Sequence, residues 1–215
     1  MQKTTAKKIY SLLVQRYPDA SGSPAMHSRG SPFEVLILTI LSAQTTDRAV
    51  LLVKKPLFIK YPTPAALAQA KIDDVERIIH SLGFFHVKAQ YIIAASRTLL
   101  SDFHGIVPKT MDELLKIPGV GRKTANIVLY HALGKNDGIA VDTHVRRLAQ
   151  RIGFSDNSEQ DKIEQDLMEV FPREQWGDLT DLLIAHGRAC CNAKKPRCNV
   201  CPVKRYCLYA RAQKT

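Results

Sequence analysis

The chain has 215 residues, 45% of them hydrophobic and 24% charged, with 31 Lys+Arg against 20 Asp+Glu for a formal net charge of +11. This is the composition of a soluble globular protein with one sizeable domain or two small ones, and its basic excess suits a polyanionic partner. The longest apolar run, Val35 to Leu41, is too short to span a bilayer, and the first residues lack the apolar core of a signal peptide.

Helix punctuation recurs along the chain and strands do not, so the expected fold class is all-α. Ser31-Pro32-Phe33-Glu34 places a serine cap, a proline at the first helical position and a glutamate three residues after the cap. The run that follows, to about Gln44, is apolar nearly all round, as in a central buried helix. Thr63-Pro64 opens another helix, and Asp73 to Leu82 forms a short amphipathic one closed by Gly83. A longer periodic helix covers His86 to about Phe103. Thr110-Met-Asp-Glu113 is a second capping box, opening a short helix that ends at Ile117-Pro118. The next helix runs from Arg122 to Leu133, closed by Gly134. Asp142 can cap one reaching Ile152, with Gly153 after it; Ser158 to Phe171 and about Glu174 to Ala189 complete the set. The expected division is a central bundle over 28–137 and a second lobe made of 1–27, with its N-terminal helix, and 138–215. A cleft between such lobes would be the natural place for a site.

Charge is concentrated at the two ends. Arg188, Lys194, Lys195, Arg197, Lys204, Arg205, Arg211 and Lys214 follow one another with no acid between Arg188 and Thr215, and Lys3, Lys7, Lys8 and Arg16 do the same at the start. A solvated basic tail is the bland reading; interleaving with cysteines favours a rigid, metal-held display of cations. A cytosolic or nuclear location is expected, where thiols stay reduced and disulfides are the less expected use of cysteine.

Ile117-Pro-Gly-Val-Gly-Arg-Lys-Thr124 sits between two helices. Pro118 and Gly119 stop the first helix, and Gly119 and Gly121 allow positive φ and close backbone approach. The amides of Gly119, Val120, Gly121 and Arg122 are then available at a helix N-terminus, where backbone N–H groups and the helix dipole bind an anion. A plain tight turn is the alternative; Arg122 and Lys123, following at once, favour a sequence-independent grip on DNA phosphate. Lys123 lies in the first turn of that helix, where the dipole disfavours an ammonium and a cleft would desolvate it. The free amine can attack C1′ of a deoxyribose, expel the base and leave a Schiff base that undergoes β-elimination. Asp142, nineteen residues on, can stabilise positive charge on the sugar and assist proton transfer. Simpler roles exist for both: another phosphate contact for Lys123, and a helix N-cap for Asp142.

Cys191-x6-Cys198-x2-Cys201-x5-Cys207 places four thiols in one short segment, beside an extra Cys190. Four thiolates satisfy a structural zinc or a [4Fe–4S] cluster; the single Cys-x-x-Cys knuckle tilts the reading toward iron–sulfur. The loop between the first two holds Lys194, Lys195 and Arg197, so the site looks like a scaffold presenting cations to phosphates, with a redox carrier as the other use.

Together these segments resemble the endonuclease III family of DNA base-excision glycosylases, from about Ser31 to Tyr209. The resemblance is carried by Leu41-Ser-Ala-Gln-Thr-Thr-Asp47, Ile117 to Asn126, Ala140-Val-Asp-Thr-His144, His186-Gly-Arg188 and Lys195-Pro-Arg-Cys198 with the later cysteines. It implies a helix–hairpin–helix glycosylase fold, a six-helix bundle plus a [4Fe–4S] lobe. It further implies that a damaged pyrimidine is flipped out of double-stranded DNA, because a stacked base hides C1′; a monomer is the default expectation. On the resemblance Lys123 is the nucleophile, Asp142 the catalytic carboxylate, and Cys191, Cys198, Cys201 and Cys207 the cluster ligands. Gln44 matches the residue that fills the gap left by the flipped base, and Phe84 falls where relatives carry an aliphatic wedge. His144 matches a structural residue. Relatives that only remove a base lack a lysine at this place, so excision of oxidised pyrimidines with nicking of the abasic site is expected. The competing readings are a mismatch or uracil-type glycosylase without lyase activity and a non-catalytic DNA-binding iron–sulfur protein.

Overall fold

The computed structural model describes residues 1–20 and 30–213. Lys214 and the expected boundary between 27 and 28 lie outside the described residues. Every regular element among those residues is helical. Backbone contacts divide the chain into two compact units, Ser23–Lys135 and Met1–Gly22 with Asn136–Thr215.

In the Ser23–Lys135 unit the organising element is α2 (Pro32–Leu41), reached after α1 (Lys3–Arg16) of the other unit. The Ser31 hydroxyl accepts from the Glu34 amide at 3.3 Å and Pro32 fills the first helical position, so the cap expected from sequence is formed. From Val35 to Leu41 every residue is buried, which explains why this helix is apolar all round. Its polar exception, Thr39, returns its hydroxyl to the Val35 carbonyl at 2.6 Å. Around it lie α3 (Asp47–Lys60), α4 (Pro64–Ala68), α5 (Ile72–Ile79), α6 (Phe85–Phe103), α7 (Met111–Leu114) and α8 (Arg122–Leu133). Helices α3, α6 and α8 pack directly on α2, and α4 and α5 pack on α6. Leu36, Ile37, Leu57, Leu99, Leu114 and Leu129 meet in one core.

Two expectations need correction here. The central helix ends at Leu41 rather than near Gln44, and residues 42–45 turn away from it. Helix α3 escapes the sequence reading because Pro56 lies inside it. Pro56 has no N–H for the Leu52 carbonyl, but Leu52 is 68% exposed, and water can take that acceptor.

The other unit is built on α1 with α9 (Thr143–Ile152), α10 (Gln160–Val170), α11 (Trp176–Ala189) and α12 (Leu208–Ala212). Ile9, Leu13, Leu148, Ile163, Leu167, Leu179 and Leu183 form its core, and Val203, Cys207 and Ala210 of the cysteine-rich segment belong to the same cluster. That segment is therefore packed into the unit and is not a loose tail. The Glu164 carboxylate is buried and accepts from the Ile139 amide at 3.1 Å, holding the segment that leads to Asp142. Among the described residues no helix is long and apolar enough to cross a membrane.

Truncating a fully buried residue of the central helix should be costly. Leu36→Ala, at a fully buried position, is expected to lower stability by about 2–5 kcal/mol, read as a lower urea midpoint with an unchanged slope.

Candidate functional site

The turn between α7 and α8 is held by the Val120 amide, which donates to Ile117 O at 3.1 Å, and by the burial of Ile117 and Val120. Gly119 has φ +81°, and a Cβ there would stand 3.1 Å from Tyr91 and 3.3 Å from Ile40, so both backbone and packing demand glycine. Gly121 differs from the sequence expectation. Its φ is −100°, an ordinary extended value, and no atom lies within 4 Å of where its Cβ would be. Neither strain nor neighbours exclude a side chain at 121; what the glycine leaves is open access to the start of α8. Val120 also departs from the expectation, since its amide is spent within the turn. Gly119 and Gly121 make no backbone donation among the described residues.

Helix α8 begins at Arg122 with Gly121 as a cap that contributes no side chain, and its first turn holds no acid. Arg122 and Lys123 are exposed there. Two cations at the positive end of a helix dipole are locally unfavourable, and an anion at that end relieves both. Among the described residues Lys123 is engaged in no hydrogen bond or ion pair.

On the same unit, Gln44 and Phe84 are exposed and both carry left-handed backbone angles, φ +51° and +58°. Phe84 is the residue before α6 and is 67% exposed. The two turns are neighbours, because a Cβ on Gly83 would lie 3.9 Å from the Gln44 carbonyl oxygen.

Asp142 heads α9 in the other unit. Its Oδ1 accepts from the Val145 amide at 2.8 Å, so the helix-cap role read from sequence is formed. The bond uses one carboxylate oxygen, and the residue is half-buried. One turn further along, Arg147 donates to the carbonyls of Gly187 at 3.2 Å and Cys191 at 3.1 Å, and its Nη2 lies 3.1 Å from His144 Nδ1. A Cβ on Gly187 would sit 2.7 Å from His144 Nδ1, so any side chain on α11 there would displace His144. Arg151 donates to Asn192 O at 2.8 Å and Ala193 O at 2.7 Å and approaches Cys191 Sγ at 3.5 Å. The helix headed by Asp142 is thus tied by two arginines, spaced i and i+4, to the first loop of the cysteine segment.

Cys191, Cys198, Cys201 and Cys207 line one space, together with Cys190, His186, Ile152 and Val203. Cys190, His186 and Cys201 bring donor atoms within 4.8 Å of one another. His186 bonds to the Tyr17 hydroxyl at 2.9 Å, and the Cys190 thiol donates to Arg197 O at 3.5 Å, so both have partners outside a metal shell. Burial pushes the Cys201 thiol up to about 12 and also raises Cys190 and Cys207; burial and the nearby Arg16 charge push His186 down to about 4. A dry, thiol-lined space that disfavours bare thiolates is one in which a bound cationic metal centre supplies the missing charge. The donor set therefore fits a metal cluster. Lys194, Lys195 and Arg197 are exposed on the loop beside it.

Sequence reading missed the arginine ties and one further contact, Lys88 Nζ to the Thr45 hydroxyl. The Arg147/Arg151 spacing was a usable signal, since it puts two cations on one face of the helix that Asp142 caps. Nothing in the sequence pairs Lys88 with Thr45.

The sequence profile of the HhH-GPD superfamily base excision DNA repair proteins matches residues 37–173. The chain is 44% identical over 211 residues to endonuclease III of Synechocystis sp., covering 98% of this chain and 95% of that one. It is 41% identical over 179 residues to endonuclease III of Escherichia coli (strain K12), covering 83% and 84%. Its structure matches that of a trapped endonuclease III–DNA covalent intermediate with a TM-score of 0.92 at 36% identity, covering 100% of both chains. A thermostable thymine-DNA glycosylase shares the fold, with a TM-score of 0.86 at 23% identity over 97% of this chain and 98% of that one.

The cap bond separates what Asp142 does for the helix from anything else it does. Asp142→Ala should lower stability by about 1 kcal/mol, while Asp142→Asn, an equally good cap, should stay within about 0.5 kcal/mol of the wild type in urea denaturation.

Proposed function

The chain belongs to the endonuclease III family, base-excision-repair DNA glycosylases with AP-lyase activity, and from that premise we propose that Lys123 is its amine nucleophile, Asp142 its catalytic carboxylate and damaged duplex DNA its substrate. The observation that carries the reading is the start of α8: an acid-free helix N-terminus, opened by glycine, with Arg122 and Lys123 exposed on its first turn. Such an end binds phosphate through Gly119, Gly121 and the helix dipole without reading bases. In this reading the amine on the same turn meets the sugar attached to the bound phosphate.

The chemistry follows from an amine meeting C1′. The Lys123 nitrogen forms a bond to C1′ as the N-glycosidic bond breaks, and the base leaves with its bonding electrons and takes up a proton. Positive charge develops on the sugar, and the Asp142 carboxylate, kept in place by the Val145 amide, stabilises it. Ring opening gives a protonated imine. The imine acidifies C2′–H; loss of that proton expels the 3′ phosphate oxygen, and water then releases Lys123. Flipping is needed first, and Gln44 and Phe84 are the exposed side chains proposed to occupy the duplex when the base has left it. An oxidised pyrimidine is the proposed lesion class.

Cys191, Cys198, Cys201 and Cys207 are proposed to hold a [4Fe–4S] cluster, with Cys190 outside the ligand set through its bond to Arg197 O. When bound, the cluster supplies structural cross-linking of the segment. The chain's own residues do the rest: Lys194, Lys195 and Arg197 meet phosphates, and Arg147 and Arg151 couple the loop to the helix of Asp142.

Two measurements bear on these assignments. Lys123→Ala should bind an abasic duplex within a few-fold of wild type yet lose strand cleavage by more than about 10²-fold, and Asp142→Asn should lose base release on a similar scale. Wild-type cleavage by Lys123→Ala would remove the lysine from the mechanism. Cys198→Ser should abolish the visible absorbance of the purified protein and weaken binding to damaged and undamaged duplex alike, read by fluorescence anisotropy at fixed salt.

A further inference from the structure

Two of the three non-glycine residues with positive φ among the described residues are Gln44 and Phe84, and the turns that carry them touch. Strained backbone of this kind persists where surrounding structure over-determines it. Lys88 is the residue that joins both turns. It lies in the first turn of α6, 4% exposed, and its amide donates to the Phe84 carbonyl at 3.0 Å. Its Nζ donates to the Thr45 hydroxyl, next to Gln44, and that hydroxyl in turn donates to Ala43 O at 3.2 Å. We propose that Lys88 is a positioning residue that locks the Gln44 turn to the Phe84 turn, so that the two side chains enter duplex DNA as one unit.

Stability does not call for a lysine here. Among the described residues no carboxylate pairs with the ammonium, and burial lowers its pKa, which marks a charge held at a cost. A methionine of similar length would fill the same space without that cost. What the ammonium adds is a directed bond from α6 to the opposite turn, and that bond fixes the spacing between two side chains whose useful property is their joint position. A misplacement of about 1 Å at such a site can cost on the order of 10²-fold in rate.

The inference rests on the reading of Gln44 and Phe84 as the side chains that enter DNA, and the test separates the two. Lys88→Met, Thr45→Val, Thr45→Ser, Gln44→Ala and Phe84→Ala are compared on a duplex with one thymine glycol and on a single-stranded abasic oligonucleotide, with thermal midpoints measured in parallel. Lys88→Met and Thr45→Val are each expected to lower kcat/KM on the duplex by on the order of 10-fold to 100-fold. Their thermal midpoints should be unchanged or raised, and cleavage of the abasic single strand unchanged. Thr45→Ser keeps the hydroxyl and should restore the rate, and the Lys88→Met/Thr45→Val double variant should be no worse than either single one. Thr45→Val tests the same bond should Lys88→Met fail to fold. Full duplex activity of Lys88→Met beside impaired Gln44→Ala or Phe84→Ala overturns the role of Lys88 alone. Additive losses in the double variant, or equal losses on the single strand, overturn it as well. Full activity of both Gln44→Ala and Phe84→Ala overturns the reading of those two residues, and the proposal with it.

Discussion

The turn at Gly119 is the constraint on which the Ser23–Lys135 unit depends. A left-handed angle and the closeness of Tyr91 and Ile40 both disfavour a side chain there, so glycine holds the backbone in this conformation. That conformation decides where α8 starts and which way its first turn faces. Because α2, buried along almost its whole length, packs against α8 from within, the start of α8 cannot drift without disturbing the core. The result is a helix N-terminus held rigidly from behind and open in front, where Gly121 offers no side chain to block an approaching phosphate. Preorganisation of this kind matters more for an amine nucleophile than for a binding residue, since attack at carbon needs alignment as well as proximity.

In the other unit the equivalent fixed point is Asp142. Its carboxylate is an N-cap first, and the helix it caps is anchored at its far end through Arg147 and Arg151 to the cysteine segment. A capping carboxylate has little freedom, so its remaining oxygen faces a defined direction. The thiol-lined space is lined in part by the same core residues, among them Ile152 and Val203, that hold α9. The thiol-lined space and the orientation of α9 are therefore parts of one packing problem.

Much of this was legible in the sequence because it is written in local punctuation. Asp142 with Gly153, and Arg122 with Gly134, bound helices whose observed limits match the expectation, since caps and C-terminal glycines act within a few residues. The family resemblance followed from short motifs for the same reason. What escaped was non-local or locally contradictory. Pro56 argued against a helix that solvent exposure of Leu52 permits. The early end of α2 and the left-handed Gln44 depend on how the following turn meets Gly83. Lys88 and Thr45 stand forty-three residues apart, with no charge pairing to hint at their contact. At Gly121 the sequence allowed positive φ or close backbone approach, and the structure shows an extended backbone with open space around it.

The identity of the attacking amine can be read from the covalent product. Borohydride reduction during turnover of an abasic duplex, followed by proteolysis and mass spectrometry of the protein–DNA adduct, reports which nitrogen carries the sugar. A reduced sugar on Lys123 is the predicted result. A sugar on another lysine or on the Met1 amine would contradict the assignment, as would continued strand cleavage with no adduct.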